Sequence, residues 1–116
     1  MNIEDRFAAL VEEMTPIPEV SPPGLGRGFG STALRYENKI FAMLVRERLV
    51  VKLPRQRVAA LVAAGEGVPF DANKSTPMKE WFSLDPDSEL AWSPLAREAL
   101  HFLSAGRYGE SLTGHG

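Results

Sequence analysis

Between Gly28 and Leu53 apolar and polar positions follow strand periodicity, interrupted by two polar pairs, Glu37-Asn38 and Arg46-Glu47. The pattern predicts three consecutive antiparallel strands joined by two-residue turns. Asn38 tolerates the left-handed backbone such turns demand. In this register Tyr36 pairs with Lys39 and Val45 with Arg48. One face collects Ser31, Ala33, Arg35, Ile40, Ala42, Leu44, Leu49, Val51 and Leu53. The other collects Thr32, Leu34, Tyr36, Phe41, Met43, Val45, Arg48, Val50 and Lys52. The first face, with its small residues, is expected to pack against helices. The second mixes large apolar side chains with cations. A one-residue slip would exchange the two sets.

The flanks show helical spacing. Ile3, Phe7, Leu10, Val11 and Met14 make one apolar stripe behind an Asn2 cap, and Pro16 ends that helix by Thr15. Thr15 to Arg27 is rich in proline and glycine, so it predicts a connector that cannot continue a helix or enter a central strand. Pro54 opens a second helix over Gln56 to Ala64, with Val58, Leu61 and Val62 inward, and Gly65 and Gly67 end it. Val68-Pro69-Phe70 is a short extended piece before a loop from Asp71 to Pro77. Met78 to Leu84 predicts a fourth strand with Trp81 and Phe82 on opposite faces. A last helix begins at Asp87 or at Ser93, carries Leu95, Ala99, Leu100, Phe102 and Leu103, and stops at Gly106. The fold class is therefore α+β: a mostly antiparallel sheet, a three-strand meander plus at least one further strand, packed with N-terminal, central and C-terminal helices. A single domain over residues 1–110 and a flexible tail over 111–116 complete the expected layout.

Composition changes this picture in two places. The 116 residues contain no cysteine, which removes disulfides, thiolate metal sites and thiol nucleophiles. No apolar run approaches the ~18 residues a membrane span needs, and the acidic N-terminus is unlike a secretory signal. A cytoplasmic protein with no membrane partner is expected. The net charge of −2 conceals an asymmetry. From Arg27 to Arg57 eight bases stand against two acids, while both flanks are acidic. Acidic helices folding over a basic sheet would compensate much of that charge.

Candidate chemistry is sparse. Gly24, Gly26, Gly28 and Gly30 suggest a phosphate-cradling loop, but they follow prolines and open a strand, the reverse of a dinucleotide fingerprint. His101 lies in the last helix pattern and His115 in the tail, neither with an evident partner. Glu80 and Asp71 could converge near Trp81, but no spacing makes them a catalytic pair. No catalytic residue, metal or cofactor is expected.

The ordered set Phe29-Gly30, Lys39-Ile40-Phe41-Ala42, Lys52-Leu53-Pro54 and Trp81 resembles the N-terminal domain of TfoX/Sxy-type proteins and the related YjbR/MmcQ-like domains. The resemblance runs from about Gly28 to about Ala105 and does not include the TfoX C-terminal domain. It implies a bacterial α+β domain in which a mostly antiparallel sheet carries helices. It also implies a role in regulation, since TfoX is linked to control of competence genes and YjbR-like relatives are often described as DNA-binding.

The leading expectation is a non-enzymatic regulatory or protein-interaction domain. Its contact face would use Leu34, Tyr36, Phe41, Met43, Arg48 and Lys52, with Arg46, Arg48, Lys52 and Arg55 as anion-binding candidates. The alternative is nucleic-acid binding through the basic region, with Tyr36 and Phe41 as stacking platforms; an enzyme of unknown reaction is the third class. Because Leu34, Phe41, Met43 and Val45 would be left uncovered on the mixed face, that face also predicts a twofold homodimer.

Overall fold

The computed structural model describes residues 2–21, 33–37, 39–70 and 78–113, with side chains described except at 78–79 and 106–113. Among the described residues three helices and six strands follow one another as α1 (Ile3–Met14), β1 (Val20–Ser21), β2 (Ala33–Tyr36), β3 (Lys39–Val45), β4 (Arg48–Lys52), α2 (Arg55–Ala63), β5 (Gly67–Phe70), β6 (Met78–Leu84) and α3 (Trp92–Thr113). All strand pairs are antiparallel, in the order β1-β2-β3-β4-β6-β5. The α+β class with N-terminal, central and C-terminal helices stands as expected.

Local chemistry explains the element ends. Asn2 caps α1, its Oδ1 accepting from the Asp5 backbone N–H at 2.7 Å. After α2, Gly65 takes φ +81°, the Glu66 N–H donates to the Leu61 carbonyl and the Gly65 N–H to the Val62 carbonyl. That pair of bonds is a Schellman close. The β3–β4 turn has φ of 52° at Arg46 and 66° at Glu47, the two positive values of a type I′ hairpin, with Val45 opposite Arg48. Tyr36 pairs with Lys39 across the preceding turn. Glu37 has φ 50°, and Asn38 lies outside the described residues.

One residue departs from regular pairing and redistributes the faces. Leu34 opposes Ala42 but Arg35 opposes Ile40, so Phe41 is an extra residue on β3, a β-bulge. The bulge turns the Phe41 side chain to the same side as Ala42. Leu34, Tyr36 and Phe41 therefore join Ala42, Leu44, Leu49, Val51, Leu53 and Phe82 under the helices. Ala33 and Ile40, expected on that face, lie on the other. The expected face holds for Ala42, Leu44, Leu49, Val51 and Leu53 and is corrected for Ala33, Ile40, Leu34, Tyr36 and Phe41. A bulge shifts the alternation only on its own side, which is why β4 obeys the simple pattern.

The helices all serve that one face. Phe7, Leu10 and Met14 of α1, Val58 and Leu61 of α2, and Leu95, Ala96 and Ala99 of α3 are buried in the same cluster as the sheet side chains. Polar links lace the helices together on the outside. Arg97 of α3 donates to Glu13 of α1 at 2.8 Å, Arg57 of α2 to Glu98 of α3 at 2.6 Å, and the Arg6 guanidinium lies 4.5 Å from the Trp92 ring centroid.

Three further differences have plain causes. The proline-rich connector contributes a two-residue edge strand, Val20–Ser21, pairing Val20 with Tyr36; an edge tolerates nearby prolines where a central strand would not. Gly67 opens β5 rather than closing α2, because an added Cβ there would overlap the Ser83 carbonyl and the Phe82 ring. The last helix starts at Trp92 and runs through Gly106 to Thr113. A helix-interior glycine costs about 1 kcal/mol and does not by itself stop a helix. Residues 22–32, including the Gly24–Gly30 series and Phe29, lie outside the described residues, as do 71–77 and 114–116.

Candidate interaction surface

The second sheet face is built by a row of cross-strand neighbours that crosses five strands. Ala33 opposes Met43, Met43 opposes Val50, Val50 opposes Ser83 and Ser83 opposes Val68. Exposure along the row is 0% at Ala33, 5% at Met43, 0% at Val50 and 6% at Ser83, then rises to 49% at Val68. The row is thus buried in its middle and emerges at the edge strand. Phe70 is buried beside it, with Ile40, Val45 and Trp81 packed around. Among the described residues no helix contributes to this second cluster.

Where the row emerges there is a groove of about 390 Å3, lined by Val45, Arg46, Arg48, Val68, Pro69, Phe70 and Ser83. Its volume lies within the range of small-ligand and side-chain sites. Arg48 is held at its floor. Its Nε donates to the Leu84 carbonyl at 3.1 Å and its Nη2 to the Ser83 carbonyl at 3.4 Å. These bonds fix the plane of the guanidinium and leave its remaining N–H groups for another acceptor. Arg46 stands exposed on the hairpin turn and has no carboxylate partner among the described residues. Ser83 is the buried polar residue of the described chain, and its hydroxyl makes no hydrogen bond to described residues.

The sequence-predicted candidates separate into groups. Leu34 and Phe41 are fully buried under the helices and present no contact surface, a correction that follows from the bulge. Tyr36 is half-buried against the same core. Met43 does lie on the second face, but buried. Of the four apolar residues expected to form a dimer patch, only Met43 and Val45 lie on the second face. Of the cations, Arg46 and Arg48 meet at the groove. Lys52 sits toward the other end of β4, 3.5 Å from Glu80 and over the Trp81 ring at 5.3 Å. Arg55 is exposed at the start of α2. The anion-binding candidates are thus one pair and two separate cations.

Sequence reasoning missed Val68, Phe70 and Ser83. The signal was available in Val68-Pro69-Phe70, because a proline within a strand pattern marks an edge strand, and an edge beside β6 brings Val68 to Ser83. Of the weaker catalytic candidates, His101 is exposed on α3, while Asp71 and His115 lie outside the described residues. A second concavity, lined by Glu66, Asp85, Asp87, Ser88 and Glu89, is acidic. Ser88 donates there to Glu66 at 2.6 Å, and no described group of side chains has the arrangement of a metal site. No described helix is long and apolar enough to cross a membrane.

Compared with known protein families, curated proteins and solved structures, the chain matches none.

Proposed function

We propose that this chain is a small non-enzymatic interaction domain of regulatory type, in keeping with its resemblance to the TfoX N-terminal domain. The contact surface of this reading is the β5 end of the second sheet face. The observation that carries it is the division of labour across the sheet. All three helices bury their apolar faces on one side, and the other side ends in an open groove. That groove combines a half-exposed Val68 with two arginines, and arginine beside apolar surface is a common composition at contact sites.

The experiment is a photo-crosslinking amino acid placed at Val68 and, as control, at the exposed Ala8 of α1. The Val68 variant is expected to trap a discrete partner in cells that the Ala8 variant does not. The same partner, purified, should bind the wild-type chain and lose affinity for a Val68→Asp variant. Equal trapping from both positions, or unchanged binding by Val68→Asp, would overturn the reading.

A further inference from the structure

We infer that the groove between the β3–β4 turn and β5 is a carboxylate-recognition site for an acidic-apolar segment of a partner protein. The inference rests on the interaction reading above and names the chemistry of its partner. Three polar features converge there. Arg46 brings a cation without a carboxylate partner among the described residues, from a turn whose φ of 52° a side chain rarely adopts. Arg48 brings a guanidinium already oriented by the Leu84 and Ser83 carbonyls. Ser83 brings a hydroxyl, 94% of whose residue is removed from solvent, with no hydrogen-bond partner among the described residues. No acidic residue is among the described groove lining.

A buried hydroxyl left without a partner is costly, and a preoriented guanidinium matches a carboxylate in geometry and charge. A carboxylate entering the groove would accept from both arginines and from Ser83, satisfying all three at once. The walls are apolar, made by Val45, Val68 and Phe70, so the ligand carries apolar side chains next to its acid. The site is a groove at the outermost strand of the sheet rather than an enclosed cavity. An extended segment can lie across it with both ends free, which favours a protein segment over a free small acid.

The test titrates the full chain with two capped, fluorescently labelled tripeptides, Leu-Glu-Leu and Leu-Gln-Leu, with isovalerate as a free apolar acid. The glutamate peptide is expected to bind about tenfold or more tighter than the glutamine peptide, since hydrogen bonds to a charged group are the strong ones. Arg46→Met and Ser83→Ala should each reduce that discrimination severalfold. Ser83→Ala should do so with an unchanged or raised unfolding midpoint, so its loss of binding cannot be misfolding. Equal affinity for the two peptides, no binding of either at about millimolar concentration, or discrimination untouched by both variants would overturn the inference. Isovalerate binding as tightly as the peptide would overturn the protein-segment occupant. If the peptides fail while Val68 still traps a partner that Val68→Asp loses, the carboxylate inference falls and the interaction reading stands.

Discussion

Replacing Phe41 and Ile40 separately with alanine tests the bulge on which the division of the sheet depends. Phe41 is fully buried in the helix-facing core, whereas Ile40 is half-buried on the second face. Truncating a buried phenylalanine removes its transfer free energy and leaves a cavity, together about 3–5 kcal/mol. Ile40 keeps part of its surface in water, so Ile40→Ala should cost about 1–2 kcal/mol. Against a total stability of about 5–15 kcal/mol, the first change is severe and the second tolerable. Urea unfolding followed by the fluorescence of Trp81 and Trp92 gives both values. With a urea slope of about 1–3 kcal/mol per molar, Phe41→Ala should lower the midpoint by about 1–5 M and Ile40→Ala by roughly two-fifths as much. Phe41→Glu should unfold the chain rather than merely change its association state. In a strand without the bulge the two residues would exchange faces, so Ile40→Ala costing as much as Phe41→Ala would refute the register.

Three other outcomes can be measured independently. Gly67→Ala should destabilise by about 1–3 kcal/mol, because the new methyl meets the Ser83 backbone carbonyl rather than a movable side chain; an unchanged thermal midpoint would contradict the close β5–β6 approach. Hydrogen bonds from Ser93 and then Arg97 hold the Glu13 carboxyl below its ordinary range. A depressed folded pKa gives stability present above the unfolded value and lost as pH falls through the carboxylate range. Glu13→Gln should therefore be less stable than wild type near neutral pH, and the gap should narrow as pH falls through the carboxylate range. A gap of constant size across the whole acid titration would refute that linkage. Labelled DNA and RNA titrated at low salt should show no saturable binding; binding that weakens steeply with added salt would favour nucleic-acid binding through the basic segment from Arg27 to Arg57.

Much of the scaffold was legible because it is written in local chemistry. The Asn2 cap, the stripe Phe7-Leu10-Met14 and the Trp81/Phe82 alternation each follow from spacing, and the pairing of Val45 with Arg48 from a two-residue turn. The bulge at Phe41 was not legible. No glycine marks it, and Ile40-Phe41-Ala42 reads as an uninterrupted strand; only pairing with β2 reveals the extra residue. Leu34 and Phe41 were therefore placed on the wrong face. The groove was half legible. Arg46 and Arg48 follow from the hairpin, but Ser83 joins them only because β6 inserts between β4 and β5, a non-local order that spacing does not encode. Charge asymmetry was informative in part, since Lys52 and Arg57 of the basic segment do meet the C-terminal acids Glu80 and Glu98.

Amide hydrogen exchange on the wild-type chain, free and saturated with the partner trapped through Val68, tests the central claim most directly. If the second sheet face is the contact surface, added protection should fall on residues 45–48, 67–70 and 83–84, while α1 and α3 exchange as in the free chain. Protection concentrated on α1 or α3, with the β3–β4 turn and β5 unchanged, would contradict it.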